Sequence, residues 1–216
     1  GNPLDHRFYF SNAIFGDFDN DGWLDLVVLD RHESPTLPVY RAALFLNRGD
    51  GTFELKPTTF SGLDSTGISG EAADLNNDGL LDIVIACDPD NSGGGLAGVG
   101  SDRYQDKVHI NTGQHGARQN HWLRIRFSGI KDAALIGARI EMTAGGKKQY
   151  RWIHSNHSYK TGGALDAHFG LGKHDRADLT VALLNGKSVK VANVRADRPL
   201  DLNLNTQELA VVEPPK

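Results

Sequence analysis

The chain has 216 residues, 39% apolar and 23% charged, with a formal net charge of −4. That length can bury the core of one large domain or two small ones, and the mild acidic balance argues against a general nucleic-acid binder. Twenty-five glycines favour tight turns over long helices, and no run approaches the roughly 18 apolar residues that span a bilayer.

In chain order, the first signal is an acidic loop, Asp17-Phe18-Asp19-Asn20-Asp21-Gly22-Trp23-Leu24-Asp25, running into the apolar strand Leu26 to Leu29. A second strand, Leu44-Phe45-Leu46, ends in Asn47-Arg48-Gly49, and the turn Asp50-Gly51 leads to a strand opening at Phe53. Fifty-seven residues after the first loop, Asp74-Leu75-Asn76-Asn77-Asp78-Gly79-Leu80-Leu81-Asp82 repeats it and leads into Ile83 to Ala86. Val108-His109-Ile110-Asn111-Thr112-Gly113 repeats the second strand and its turn, so the first half is an internal β repeat. The second unit carries seven extra residues, which belong to the Gly-rich, polar stretch between Asp88 and Asp106, an exposed excursion. Cys87 ends an apolar run and reads as a small buried hydrophobe.

The two loops carry the chemistry. Calcium takes six to eight oxygen ligands, and acids at positions 1, 3 and 5 of a tight loop can wrap one ion. Glycine at position 6 turns the chain sharply and frees the carbonyl of position 7. The expected ligands are Asp17, Asp19, Asp21, the Trp23 carbonyl and Asp25 in the first loop. In the second they are Asp74, Asn76, Asp78, the Leu80 carbonyl and Asp82. An EF-hand would need Glu at position 12 and a following helix, whereas Val28 and Ile85 stand there inside strands. Nor is a simple solvated turn an adequate reading. Each close carboxylate pair costs about 4 kcal/mol at an effective dielectric near 20, and a turn needs a single Asp-Gly. Two calcium ions are expected, stapling loop to strand in preference to binding substrate.

On these loops the chain resembles the FG-GAP or VCBS repeat family, over residues 13 to 113 or so. The resemblance implies β-propeller blades with calcium in an edge loop. Two blades cannot close a propeller, so further blades would come from other sequence or another chain.

From about Asn120 a different β pattern begins. His121 to Phe127 alternates, as do Ala138, Ile140 and Met142. Gly145-Gly146 turns into a strand over Lys148 to Ile153. Asn185-Gly186 joins strands at Leu179 to Leu184 and Val189 to Val194, and Leu200, Leu202 and Leu204 alternate at the end. Six or more short strands predict a small sandwich or barrel. Ile136-Gly137-Ala138-Arg139-Ile140, His168-Phe169-Gly170-Leu171-Gly172 and Asn185-Gly186-Lys187 are similar to the ASPIC/UnbV domain. The expected fold is therefore all-β, a partial β-propeller of two calcium-binding blades over 1–118 and an ASPIC/UnbV-like sandwich or barrel over 119–216.

His154, His157, His168 and His174 lie close in sequence without the spacing or partners of a familiar metal site, and His168 reads as a hydrogen-bonded structural residue. Asn156-His157-Ser158 is a glycosylation sequon. Arg124, Arg126, Lys147, Lys148 and Arg151 read as solvated strand faces. No nucleophile elbow, phosphate loop or dinucleotide fingerprint occurs, so no catalytic residue is assigned. Starting at Gly1 with Met142 as its single methionine, the chain reads as an excised or processed piece. The resulting expectation is a calcium-stabilised, non-catalytic binding or assembly module, secreted, at the cell surface or periplasmic. Its partner would be a protein or glycan, with no nucleic acid and no transmembrane segment. The alternative is an accessory domain or subunit of a calcium-dependent, polysaccharide-acting enzyme.

Overall fold

The structure is a computed structural model and describes residues 10–30, 42–56, 60, 69–86, 106–156 and 161–212. It is all-β. Strands β1 (Phe10–Gly16), β2 (Asp25–Asp30), β3 (Ala42–Asn47) and β4 (Phe53–Lys56) form an antiparallel meander in chain order. Strands β5 (Ser69–Ala73), β6 (Asp82–Ala86) and β7 (Lys107–His109) repeat the arrangement with three strands, and Phe60 bridges to Asn111 beside them. Alternation sends Val27 and Leu29 of β2, Leu44 and Leu46 of β3, and Ile83 and Ile85 of β6 into one core with Ile14 and Phe18. Gly70 on β5 lets the two sheets meet there, since a Cβ would stand 2.7 Å from the Ile14 methyl.

The second core lies between two four-stranded sheets. One has the order β10-β9-β12-β13, built from β9 (Arg139–Ala144), β10 (Lys147–Trp152), β12 (Arg176–Ala182) and β13 (Ser188–Arg195). The other has the order β11-β8-β14-β15, from β8 (His121–Ser128), β11 (Asp166–Gly172), β14 (Arg198–Asn203) and β15 (Leu209–Val211), with β8 and β14 parallel. Leu123, Ile125, Ile140, Met142, Phe169, Leu179 and Leu202 fill the space between them. Of the sandwich and barrel left open by the sequence, two separate sheets over one shared core make this a sandwich.

The expected strands and turns of the second half all form, and a one-turn helix, α1 (Asp132–Leu135), is added between β8 and β9. Four strands were not read from the sequence: β1 and β5, which lead into the acidic loops, β11, which crosses to meet them, and the short β15 near the end. Cys87, His157, nearly all of the Gly-rich stretch and most of the sequon lie outside the described residues. One expectation is corrected. Arg124 is a largely covered side chain paired with Asp166 at 2.7 Å, Lys147 lies 3.4 Å over the Trp23 ring, and Arg151 lies 4.9 Å over the Phe169 ring. Packing of the sandwich face against the repeat region is the reason these three are partly buried and not fully solvated.

Candidate metal centre

Both loops are built by the same hydrogen bonds. At position 1, Asp17 Oδ2 accepts the Gly22 amide at 2.9 Å, and Asp74 Oδ2 accepts the Gly79 amide at 3.1 Å. At position 5, Asp21 Oδ1 accepts the Trp23 amide and Asp78 Oδ1 the Leu80 amide. Two left-handed residues close each turn, Asn20 (φ 59°) with Gly22 (φ 91°) and Asn77 (φ 59°) with Gly79 (φ 84°), which explains the choice of Asn and Gly.

The position 9 acids have a role that spacing alone does not separate from ligation. Asp25 Oδ2 accepts the Phe18 amide and its Oδ1 the Asn47 amide, both at 2.8 Å. Asp82 does the same with Leu75 at 3.0 Å and Asn111 at 2.8 Å. Each carboxylate thus ties the start of its loop to the end of the second strand of its unit. Asn47 and Asn111, whose supporting role sequence reasoning missed, complete the tie. Their side-chain amides donate to Leu24 O and Leu81 O, and their Oδ1 atoms accept from Gly49 and Gly113. The signal was present in the repeated Asn-x-Gly after each strand.

Of the expected ligands, Asp17, Asp19 and Asp21 converge, with one oxygen of each lying within 4.8 Å of the others. In the second loop the Asp78 amide draws Asp74 Oδ1 (3.1 Å) and Asn76 Oδ1 (3.0 Å) together. The loops differ in one respect. Both oxygens of Asp74 accept amides of their own loop, whereas Asp17, 1% exposed, keeps Oδ1 buried with no hydrogen-bond partner.

Crowding of acids out of water has an electrostatic consequence. Burial pushes Asp17 up to about 7, against the lowering field of Arg151, with Asp21 and Asp19 adding to the rise. Burial and the charge of Asp21 push Asp19 up to about 6, and burial also raises Asp21. Asp25 is pushed up to about 8, burial outweighing the Asn47 and Phe18 amides. Burial raises Asp74 and Asp82 as well. A divalent cation among these oxygens would remove the repulsion and give Asp17 Oδ1 a partner, so the donor set fits a hard, oxygen-seeking ion.

The sandwich meets both loops. Asp17 Oδ2 accepts a second amide, that of Gly170, at 3.0 Å, and the Gly172 amide donates to Asn20 O at 2.9 Å. Asn120 Nδ2 donates to Asp19 O at 2.8 Å. On the second loop, Arg124 Nη1 donates to Asp74 O and His168 Nε2 bonds Gly79 O, each at 3.0 Å. That bond makes Nε2 the protonated nitrogen, and burial holds the imidazole down to about 4, so His168 is a neutral structural donor. Trp122 lies flat over Gly79, where any Cβ would overlap its ring, and stacks on His168 with centroids 6.3 Å apart. Asn20 Nδ2 joins the two loops by donating to Gly79 O.

Two segments of the chain match known families. Residues 17–85 match the FG-GAP-like repeat and residues 130–209 match the ASPIC and UnbV domain, so the chain is similar to the first of these families in its first half and to the second in its second half. It is similar to cartilage acidic protein 1 of Xenopus tropicalis, with 26% identity over 207 residues that cover 94% of this chain and 30% of the relative. The chain thus spans about a third of the length of that curated relative.

Proposed function

We propose that this chain is a calcium-stapled, non-catalytic binding or assembly module of an extracellular protein, with one ion in each acidic loop. The observation that carries the reading is Asp17, whose Oδ1 is buried and unpartnered and whose carboxylate has an oxygen within 4.8 Å of one from Asp19 and one from Asp21. Asp17, Asp19 and Asp21 would hold one ion, and Asp74, Asn76 and Asp78 the other. The Trp23 and Leu80 carbonyls would supply the position 7 oxygens, and Asp25 and Asp82 would close the sites. Extracellular modules use calcium at 10⁻⁴ to 10⁻³ M, a regime that suits short loops of this kind. Likeness to a protein named for cartilage supports an address outside the cell, and among the described residues no helix is long and apolar enough to cross a membrane.

The repeat sheets are read as two blades of a propeller whose other blades lie on further sequence or another chain. The partner, a protein or a glycan, would use the cleft of about 560 Å³ between β1, β5 and the sandwich. There the rings of Phe15, Tyr150 and Trp152 stand exposed, the last two with centroids 6.2 Å apart.

Thermal melting in saturating calcium and in chelator tests the stapling. At a hundredfold excess over Kd one ion adds about 2.7 kcal/mol. For a chain of this size that is a rise of about 5–10 °C. A rise below about 2 °C would count against the proposal.

A further inference from the structure

We propose that the sandwich is part of the first calcium site, so that ion binding in that loop and docking of the sandwich onto the repeats are one linked event. The inference rests on the calcium reading above and goes beyond it, since stapling a loop to its own strand needs nothing from the sandwich.

Position 1 shows how the two sites differ. In the second loop both Asp74 oxygens are held by the loop's own amides, from Asp78 and Gly79. In the first, the loop supplies one amide, Gly22, and β11 supplies the other, Gly170, both to Oδ2. The sandwich amide therefore helps fix Oδ2, which leaves Oδ1 as the atom available to a cation. The register is set on both sides of this contact, because the Gly172 amide reaches Asn20 O and Gln149 Nε2 holds Gly170 O. Only glycine fits at position 170: a Cβ would overlap the Asp17 carboxylate and the Asn20 backbone. At the second loop the sandwich bonds the carbonyls of Asp74 and Gly79 and, through Arg124, Asn77 Oδ1 at 3.4 Å, and among the described residues no sandwich backbone amide is bonded to the Asp74 carboxylate.

Linkage then works in both directions. An ion that orders Asp17 strengthens docking, and docking that orders Asp17 strengthens ion binding by the same factor.

Amide hydrogen exchange of the full chain at Gly170 and Gly172, in calcium and in chelator, tests the coupling. Wild type is compared with Asp21→Asn, which weakens the first site without touching β11, and with Asp78→Asn, which weakens the second. Calorimetric titration with calcium counts the sites in each protein. Calcium is expected to slow exchange at both glycines at least tenfold in wild type and in Asp78→Asn, and to do so much less in Asp21→Asn. If calorimetry finds the first site filled while exchange at Gly170 and Gly172 does not change, the coupling is wrong and the calcium reading stands. The coupling is also wrong if Asp21→Asn keeps the full slowing. If calorimetry finds no calcium in the first loop of wild type, both fall together.

Discussion

Asp25 and Asp17 sit eight residues apart in one loop and spend their oxygens differently. Asp25 gives both to backbone amides, at Phe18 and Asn47, in a place with no access to solvent. Asp25→Ala would strand one buried and one part-buried donor, each worth about 1–3 kcal/mol, so a loss of about 2–5 kcal/mol is expected in urea unfolding carried out in chelator. A loss under about 1 kcal/mol would mean that the tie carries no weight. The raised acids also set a pH dependence for the metal-free chain. Asp17 and Asp25 titrate near 7 and 8 when folded, against 3.8 when unfolded. The folded state thus holds more protons, and stability falls as pH rises through those values. His168 acts in the opposite sense only below its ordinary value of 6.5, which leaves pH 6.5 to 8 as the clean window. In chelator, the melting temperature is expected to fall by a few degrees across that window, and to fall less in saturating calcium, where the acids must ionise to bind the ion. A flat or rising melting temperature in chelator would contradict the burial of these carboxyls.

At the scale of elements, strands with an alternating apolar face or an unbroken apolar run were legible, and those with neither, or too short to show one, were not. Leu26 to Leu29, Ile83 to Ala86 and Leu123 to Phe127 carry their pattern openly, and each lies within a strand. Strand β5, Ser-Gly-Glu-Ala-Ala, has no β-branched residue and is held by pairing to β6 and by Gly70 against Ile14. In β11 the glycines that make His168 to Gly172 look like a turn are the residues that let the strand approach Asp17 and Asn20. The acidic loops were legible because Asp, Asn and Gly recur at fixed spacing, held there by the same turn hydrogen bonds and left-handed residues in both units. Their covering was not, because Arg124, Lys147 and Arg151 reach the loops from strands more than forty residues further along the chain. Single-sequence periodicity describes which face of a strand is polar, and it does not say what that face meets.

For the molecule as a whole, two apolar cores share a polar joint. The cores hold the repeat sheets and the sandwich separately, while the acidic loops, β11 and Arg124 meet between them. Such a joint is costly to dehydrate unless its charges are compensated, and two divalent ions would also bring the net charge of −4 close to zero. The rings of Phe15 and Trp152 stand exposed beside the joint. The most direct measurement is a crystal structure of the chain grown in millimolar calcium. The expected result is a cation bonded to Asp17 Oδ1, Asp19 and Asp21, with the Gly170 amide still on Asp17 Oδ2. Well-ordered loops that hold no cation at that concentration would contradict the account.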